Sequence, residues 1–115
     1  VGAGIGLFIV PRTWILLKQA IHILMEGTPS EIDISLLEDK LKEIPGITAV
    51  HDLHVWTITS GVDAMSCHLV VTNMAAAPKT LVAAKSAMET TFDITHTTIQ
   101  IEDQDLRKAE RELKY

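Results

Sequence analysis

A chain of 115 residues with 10 Lys plus Arg against 15 Asp plus Glu, 47% of it hydrophobic and 22% charged, has the make-up of one small domain rather than two. That composition excludes a disordered, collagen-like or disulfide-stapled chain, and a net charge of −5 speaks against nucleic acid, whose binding rests on clustered Lys and Arg. The single cysteine, Cys67, cannot form an internal disulfide, so a reducing compartment is expected, and an acidic chain suits cations as partners.

Arg12, Lys18 and Glu26 leave residues 1–29 at +1 and the remainder at −6. Residues 1–10 carry no polar side chain, yet they are half the length of a membrane crossing, and Pro11, Arg12 and Trp14 follow where a signal peptide would have its cleavage site. Gly2, Ala3, Gly4 and Gly6 suit close helix packing in lipid, and Trp14 between Arg12 and Lys18 suits an interfacial anchor with cytoplasmic positive charge. The expectation is the end of a membrane helix; the alternative is an amphipathic helix folded onto the domain. Either way residues 12–26 are helical, and Gly27-Thr28-Pro29 ends the helix and forms a linker.

Ser30, with Asp33 three residues on, predicts a capping box, followed by a helix with Ile34, Leu37, Leu41 and Ile44 on one stripe and Pro45-Gly46 at its end. Residues 48–59, rich in Val, Ile, Thr and Trp, read as a strand, Ser60-Gly61 as a turn, and residues 62–72 as the returning strand. Ala77-Pro78 opens a helix carrying Leu81, Ala84 and Met88, and Thr97 to Glu102 is a third strand. The tail, residues 103–115, spaces Leu106, Ala109 and Leu113 as a helix does, with Asp103/Arg107 and Glu110/Lys114 as i,i+4 pairs. Residues 30–102 thus form an α+β domain of order αββαβ, a three-stranded sheet with two helices on one face, an open relative of ferredoxin-like folds. So small a core invites pairing with a second copy, so a homodimer is expected.

Five histidines raise the question of a shared metal. With a two-residue turn at Ser60-Gly61 the ladder places Leu53 opposite His68 and His51 opposite Val70, so His51 and His68 are diagonal neighbours, about 7–8 Å apart at Cβ and able to converge on one Zn²⁺. His54 falls on the other face, opposite Cys67. A strand-helix-strand crossover makes the third strand parallel to the second, which delivers Glu102 to the edge holding His51 and His68. His96, six residues earlier and roughly 20 Å away, would serve a second metal or reach across a dimer. Asp52 and Asp103, each beside an expected ligand, are candidates for orienting an imidazole. His22, His54 and Trp56 are read as packing or surface residues, and Met65, Cys67, Leu69 and Val71 as one buried strand face.

The residues also resemble a family, the cation diffusion facilitator exporters of zinc, cobalt and cadmium. The resemblance runs through Val10-Pro11-Arg12-Thr13-Trp14, Leu24-Met25-Glu26-Gly27-Thr28-Pro29 and Ile44-Pro45-Gly46-Ile47, then through His51-Asp52-Leu53-His54-Val55-Trp56 and Thr95-His96-Thr97-Thr98-Ile99-Gln100-Ile101-Glu102. It implies that residues 1–26 are the end of the last transmembrane helix with its cytoplasmic extension. It also implies that the rest is the cytoplasmic C-terminal domain of an inner- or plasma-membrane protein, with a metallochaperone-like fold. His51, His68, His96 and Glu102 match family ligand positions. The implied role is a metal-responsive dimer module that binds zinc near its interface and regulates a proton-coupled exporter by tightening the dimer. The Asp/His transport site of the membrane helices is not in this sequence.

His and Glu ligation allows Zn²⁺, Co²⁺, Cd²⁺ or Ni²⁺. Two further readings are a metal-independent dimerisation module and a zinc hydrolase. The second lacks a separate general base or oxyanion donor, and no base is aimed at Cys67, so no enzymatic activity is expected.

Overall fold

A computed structural model describes residues 1–113. Helix α1 (Gly2–Leu24) is followed by α2 (Ile34–Lys42), β1 (Ile47–Thr59), β2 (Val62–Val71), a 3-10 turn (Met74–Ala76), α3 (Ala77–Phe92), β3 (His96–Glu102) and α4 (Gln104–Leu113). The sheet order is β1-β2-β3, antiparallel between the first two and parallel between the second pair, as the crossover requires. This is the α+β fold expected for residues 30–102.

The α1 helix runs unbroken through Pro11 and its side chains are almost all exposed. Its left-handed terminal residue is Glu26 (φ 52°) rather than Gly27. Gly27 is small for another reason: its N–H donates to the His22 carbonyl, 2.9 Å, and a Cβ there would strike the His22 ring.

The cap of α2 also differs from expectation. Asp33, not Ser30, receives the free amides, accepting from Ser35 N at 2.9 Å and Leu36 N at 3.2 Å, while Ser30 Oγ donates to Glu31. Asp33 has the extended backbone that an N-cap needs, and the helix starts at Ile34. Leu37 and Leu41 then reach the core, one turn apart.

Period two along β2 places Met65, Cys67, Leu69 and Val71 against the helices, where they join Val50 and Val55 of β1, Leu37 and Leu41 of α2, Ala84 and Met88 of α3, and Ile94. Thr80 takes the buried place on α3 expected for Leu81, which is half-buried. Asp93 (φ 57°) closes α3, its N–H donating to the Glu89 carbonyl at 3.1 Å.

The β1–β2 register departs from a regular ladder. It begins at Thr59↔Val62 as expected, slips between Thr57 and Thr59 and slips again between His51 and His54, where Asp52 has φ 47°. Each slip adds a residue to β1, so His51 stands directly opposite His68 rather than diagonal to it, and His54 pairs with Ser66 instead of Cys67. That pairing returns His54 to the open face of the sheet.

Candidate metal centre

The sheet face turned away from α2 and α3 carries His68 on the central strand, with His51 opposite it on β1 and Gln100 opposite it on β3. Glu102, two residues beyond Gln100, lies on the same face and has no solvent exposure. Its two oxygens each meet an imidazole: Oε2 is 3.1 Å from His51 Nε2, and Oε1 is 2.6 Å from His68 Nδ1. The rings meet edge to face with centroids 4.9 Å apart. Gln100 Nε2 donates to Glu102 Oε1 at 2.8 Å and so holds the carboxylate plane.

Burial drives the Glu102 carboxyl towards the neutral form, but hydrogen bonds from His51 and Gln100 and the charge of both imidazoles outweigh it, holding the group below its ordinary pKa. It is therefore an anion at neutral pH. His51 Nε2 meets it with hydrogen-bond geometry. His68 Nδ1 does not: despite the 2.6 Å approach, this buried nitrogen has no hydrogen-bond partner. A buried ring nitrogen and a carboxylate oxygen turned to one point without hydrogen-bond geometry between them is an arrangement that a cation site presents.

A fourth group completes the cluster. Glu110 of α4 brings Oε2 to 3.5 Å from His68 Nδ1, and ligand atoms of His51, His68, Glu102 and Glu110 all lie within 4.8 Å of one another. Tetrahedral zinc with ligands at 2.0–2.1 Å needs donor separations of about 3.3 Å, so side-chain adjustment that draws the widest pairs together and opens the 2.6 Å His68–Glu102 pair would seat the ion. Two imidazoles and two carboxylates are a donor set suited to a divalent cation.

Of the residues expected from sequence, His51, His68 and Glu102 are brought together. His96 is not: it begins β3 opposite Ala64, at the far end of the strand from Glu102, and is exposed. Asp52 lies beside both rings, with Oδ2 3.8 Å from His51 Nδ1 and 4.0 Å from His68 Nδ1. Asp103 has a different task; its carboxylate caps α4 by accepting from Leu106 N at 2.8 Å. Glu110 went unrecognised. In sequence it is half of an i,i+4 pair with Lys114, which lies outside the described residues, and only the path of the chain after β3 carries it over the sheet.

The three-stranded αββαβ sheet is a fold shared with solved domains of metal-transporting efflux proteins. Residues 29–104 match the family model described as the cation efflux protein cytoplasmic domain, and the chain belongs to that family. Among its relatives, the metal cation efflux protein CzcD of Cupriavidus metallidurans is 43% identical over 100 residues, 85% of this chain and 31% of that protein. A cadmium, cobalt and zinc/H(+)-K(+) antiporter of Bacillus subtilis is 45% identical over 87 residues, 74% of this chain and 28% of its own length. The chain thus spans between 12% and 31% of the length of the curated relatives it matches. The solved metal-bound C-terminal domain of the Cupriavidus CzcD transporter superposes with TM-score 0.56 at 37% identity, covering 62% of this chain and 99% of that one. The zinc form of the transporter CzrB gives TM-score 0.59 at 25% identity over 70% and 93% of the two chains.

Proposed function

We infer that this chain is the zinc-binding, dimerising regulatory domain of a divalent-cation exporter of the cation/proton antiport type, preceded by the end of its last membrane helix. The convergence of His51, His68 and Glu102 on one point of the open sheet face carries this reading. Zn²⁺ is the proposed ion, with Co²⁺, Cd²⁺ and Ni²⁺ compatible with the same donors. His51 Nε2, His68 Nδ1 and the Glu102 carboxylate would hold it, Gln100 keeping the carboxylate in place and Asp52 facing the other ring nitrogen of His51 from outside. When bound, the ion supplies positive charge and a fixed geometry. His96 is proposed as a ligand for a second ion or for the partner protomer. No catalytic step is assigned.

Residues 1–26 are proposed to enter the membrane, residues 27–29 to link, residues 30–102 to form the cytoplasmic unit and residues 103–115 its tail helix. The α1 helix, 23 residues with mean hydropathy 1.3 over its most apolar stretch, has the length and composition to cross a bilayer. Lys18 Nζ sits 5.8 Å from the Trp14 ring, a pairing suited to an interfacial belt. In the working transporter two acidic domains repel, and bound dications lower that repulsion and favour the closed dimer, which activates transport.

The test is a calorimetric zinc titration of the chain in detergent micelles. At least one ion should bind per chain, and binding at that site should vanish in His51→Ala/His68→Ala. Full-stoichiometry binding in the double variant would refute the assignment.

A further inference from the structure

Helix α4 lies on the sheet the wrong way round for an amphipathic helix. Its half-buried positions are Arg107 and Glu110, whereas Leu106 is 44% exposed, Leu113 is 82% exposed and Ala109 is exposed. A surface helix ordinarily turns its apolar stripe to the core. Here apolar burial contributes little to docking, and a ten-residue helix has scant stability of its own in water.

Polar contacts to the metal centre and its surroundings hold α4 instead. Gln100 Nε2 donates to Glu110 Oε1 at 2.9 Å, and Gln104 Nε2 donates to Thr48 Oγ1 at 3.2 Å. Both lie at exposed positions, where such bonds add little because water competes for the same groups. The remaining Glu110 oxygen, Oε2, is turned to His68 Nδ1, the one ring nitrogen of the cluster that is buried without a hydrogen-bond partner. One glutamine therefore positions both carboxylates, and the second carboxylate is aimed at the site's unsatisfied atom.

We propose that Glu110 is the fourth donor to the cation and that the bound ion is what fastens α4 to the sheet, so that loading docks the tail helix and emptying releases it. The proposal rests on the His51/His68/Glu102 reading of the site. It makes the centre a closed one with four protein donors, as structural zinc sites are, leaving no position for a reacting water. It also couples occupancy to a visible change of surface, since docking α4 by its polar face presents Leu106 and Leu113 outwards.

The experiment combines hydrogen exchange with a competitive Zn²⁺ titration against a chromophoric chelator, using the whole chain in detergent micelles. In the wild type, zinc should slow exchange of α4 amides about tenfold or more. Glu110→Gln keeps the shape and the amide contact with Gln100 but removes the anionic donor. It should bind zinc at least about tenfold more weakly, and its α4 amides should stay unprotected at saturating zinc while β2 protection matches the wild type. Wild-type affinity in Glu110→Gln would overturn the proposal. So would α4 exchange that ignores zinc in a wild type whose binding is still abolished by His51→Ala/His68→Ala, and that result would leave the site reading standing. Loss of zinc binding in the wild type itself would remove both.

Discussion

Glu102 is a carboxylate with no exposure in a small sheet protein, a placement that costs several kcal/mol unless the charge is paired. Its partners are two imidazoles and an amide, and all of them lie on the face opposite the apolar core. The residue therefore serves the site rather than the packing. Cys67 is the opposite case. It lies on the core face of β2, and burial pushes its thiol from 9.0 up to about 12. The folded thiol should resist alkylation at pH 8 and label only on unfolding, which mass spectrometry after iodoacetamide at increasing urea can follow. The unfolded chain gives up this proton first, so from about pH 9 to 12 the folded state holds more protons and stability falls as pH rises. That loss should be larger in wild type than in Cys67→Ala when urea midpoints at pH 8 and pH 10.5 are compared. Equal losses would contradict the burial argument.

At the scale of elements, the legible features were those set by side-chain periodicity. Leu37 and Leu41 one turn apart on α2, and Met65, Cys67, Leu69 and Val71 alternating on β2, mark their buried faces without reference to any other part of the chain. Chain direction after a crossover was enough to carry Glu102 to the two histidines. Backbone irregularities were not legible. The slip at Asp52 depends on a non-glycine residue adopting φ 47°, which hydropathy does not encode, and it set the His51–His68 pairing, while the slip between Thr57 and Thr59 had already changed the side of His54. Glu110 escaped for a related reason: periodicity in α4 pointed Leu106 and Leu113 inwards, while polar contacts turned the helix the other way. Ser30 and Asp33 are both acceptable caps by type, and the choice fell to Asp33 because Pro29 and Ile32 form a turn that spends Ser30 before the helix starts. Asp33→Ala should lower stability by about 1 kcal/mol, and Ser30→Ala by no more than a few tenths, read from urea midpoints. The reverse order would restore the original capping reading.

For the whole molecule, the charge difference between the ends of the chain fits a division of labour. Residues 1–29 are apolar with a slight positive excess, and the acidic remainder holds the cluster. Two such acidic units brought side by side at the ends of membrane helices would repel across a few ångströms of water, and ions held in each would weaken that repulsion. Under the proposed function, compaction of a dimer on metal binding would follow from the same charges that make the site attractive to a dication. It should weaken when either the donors or the ion is removed.

Small-angle scattering of the chain in micelles, with and without saturating Zn²⁺, tests this most directly when paired with the same measurement on His51→Ala/His68→Ala. The expected result is a dimer whose radius of gyration falls on zinc addition in the wild type and stays constant in the double variant. A wild-type dimer of unchanged dimensions, or identical compaction in the variant, would contradict it.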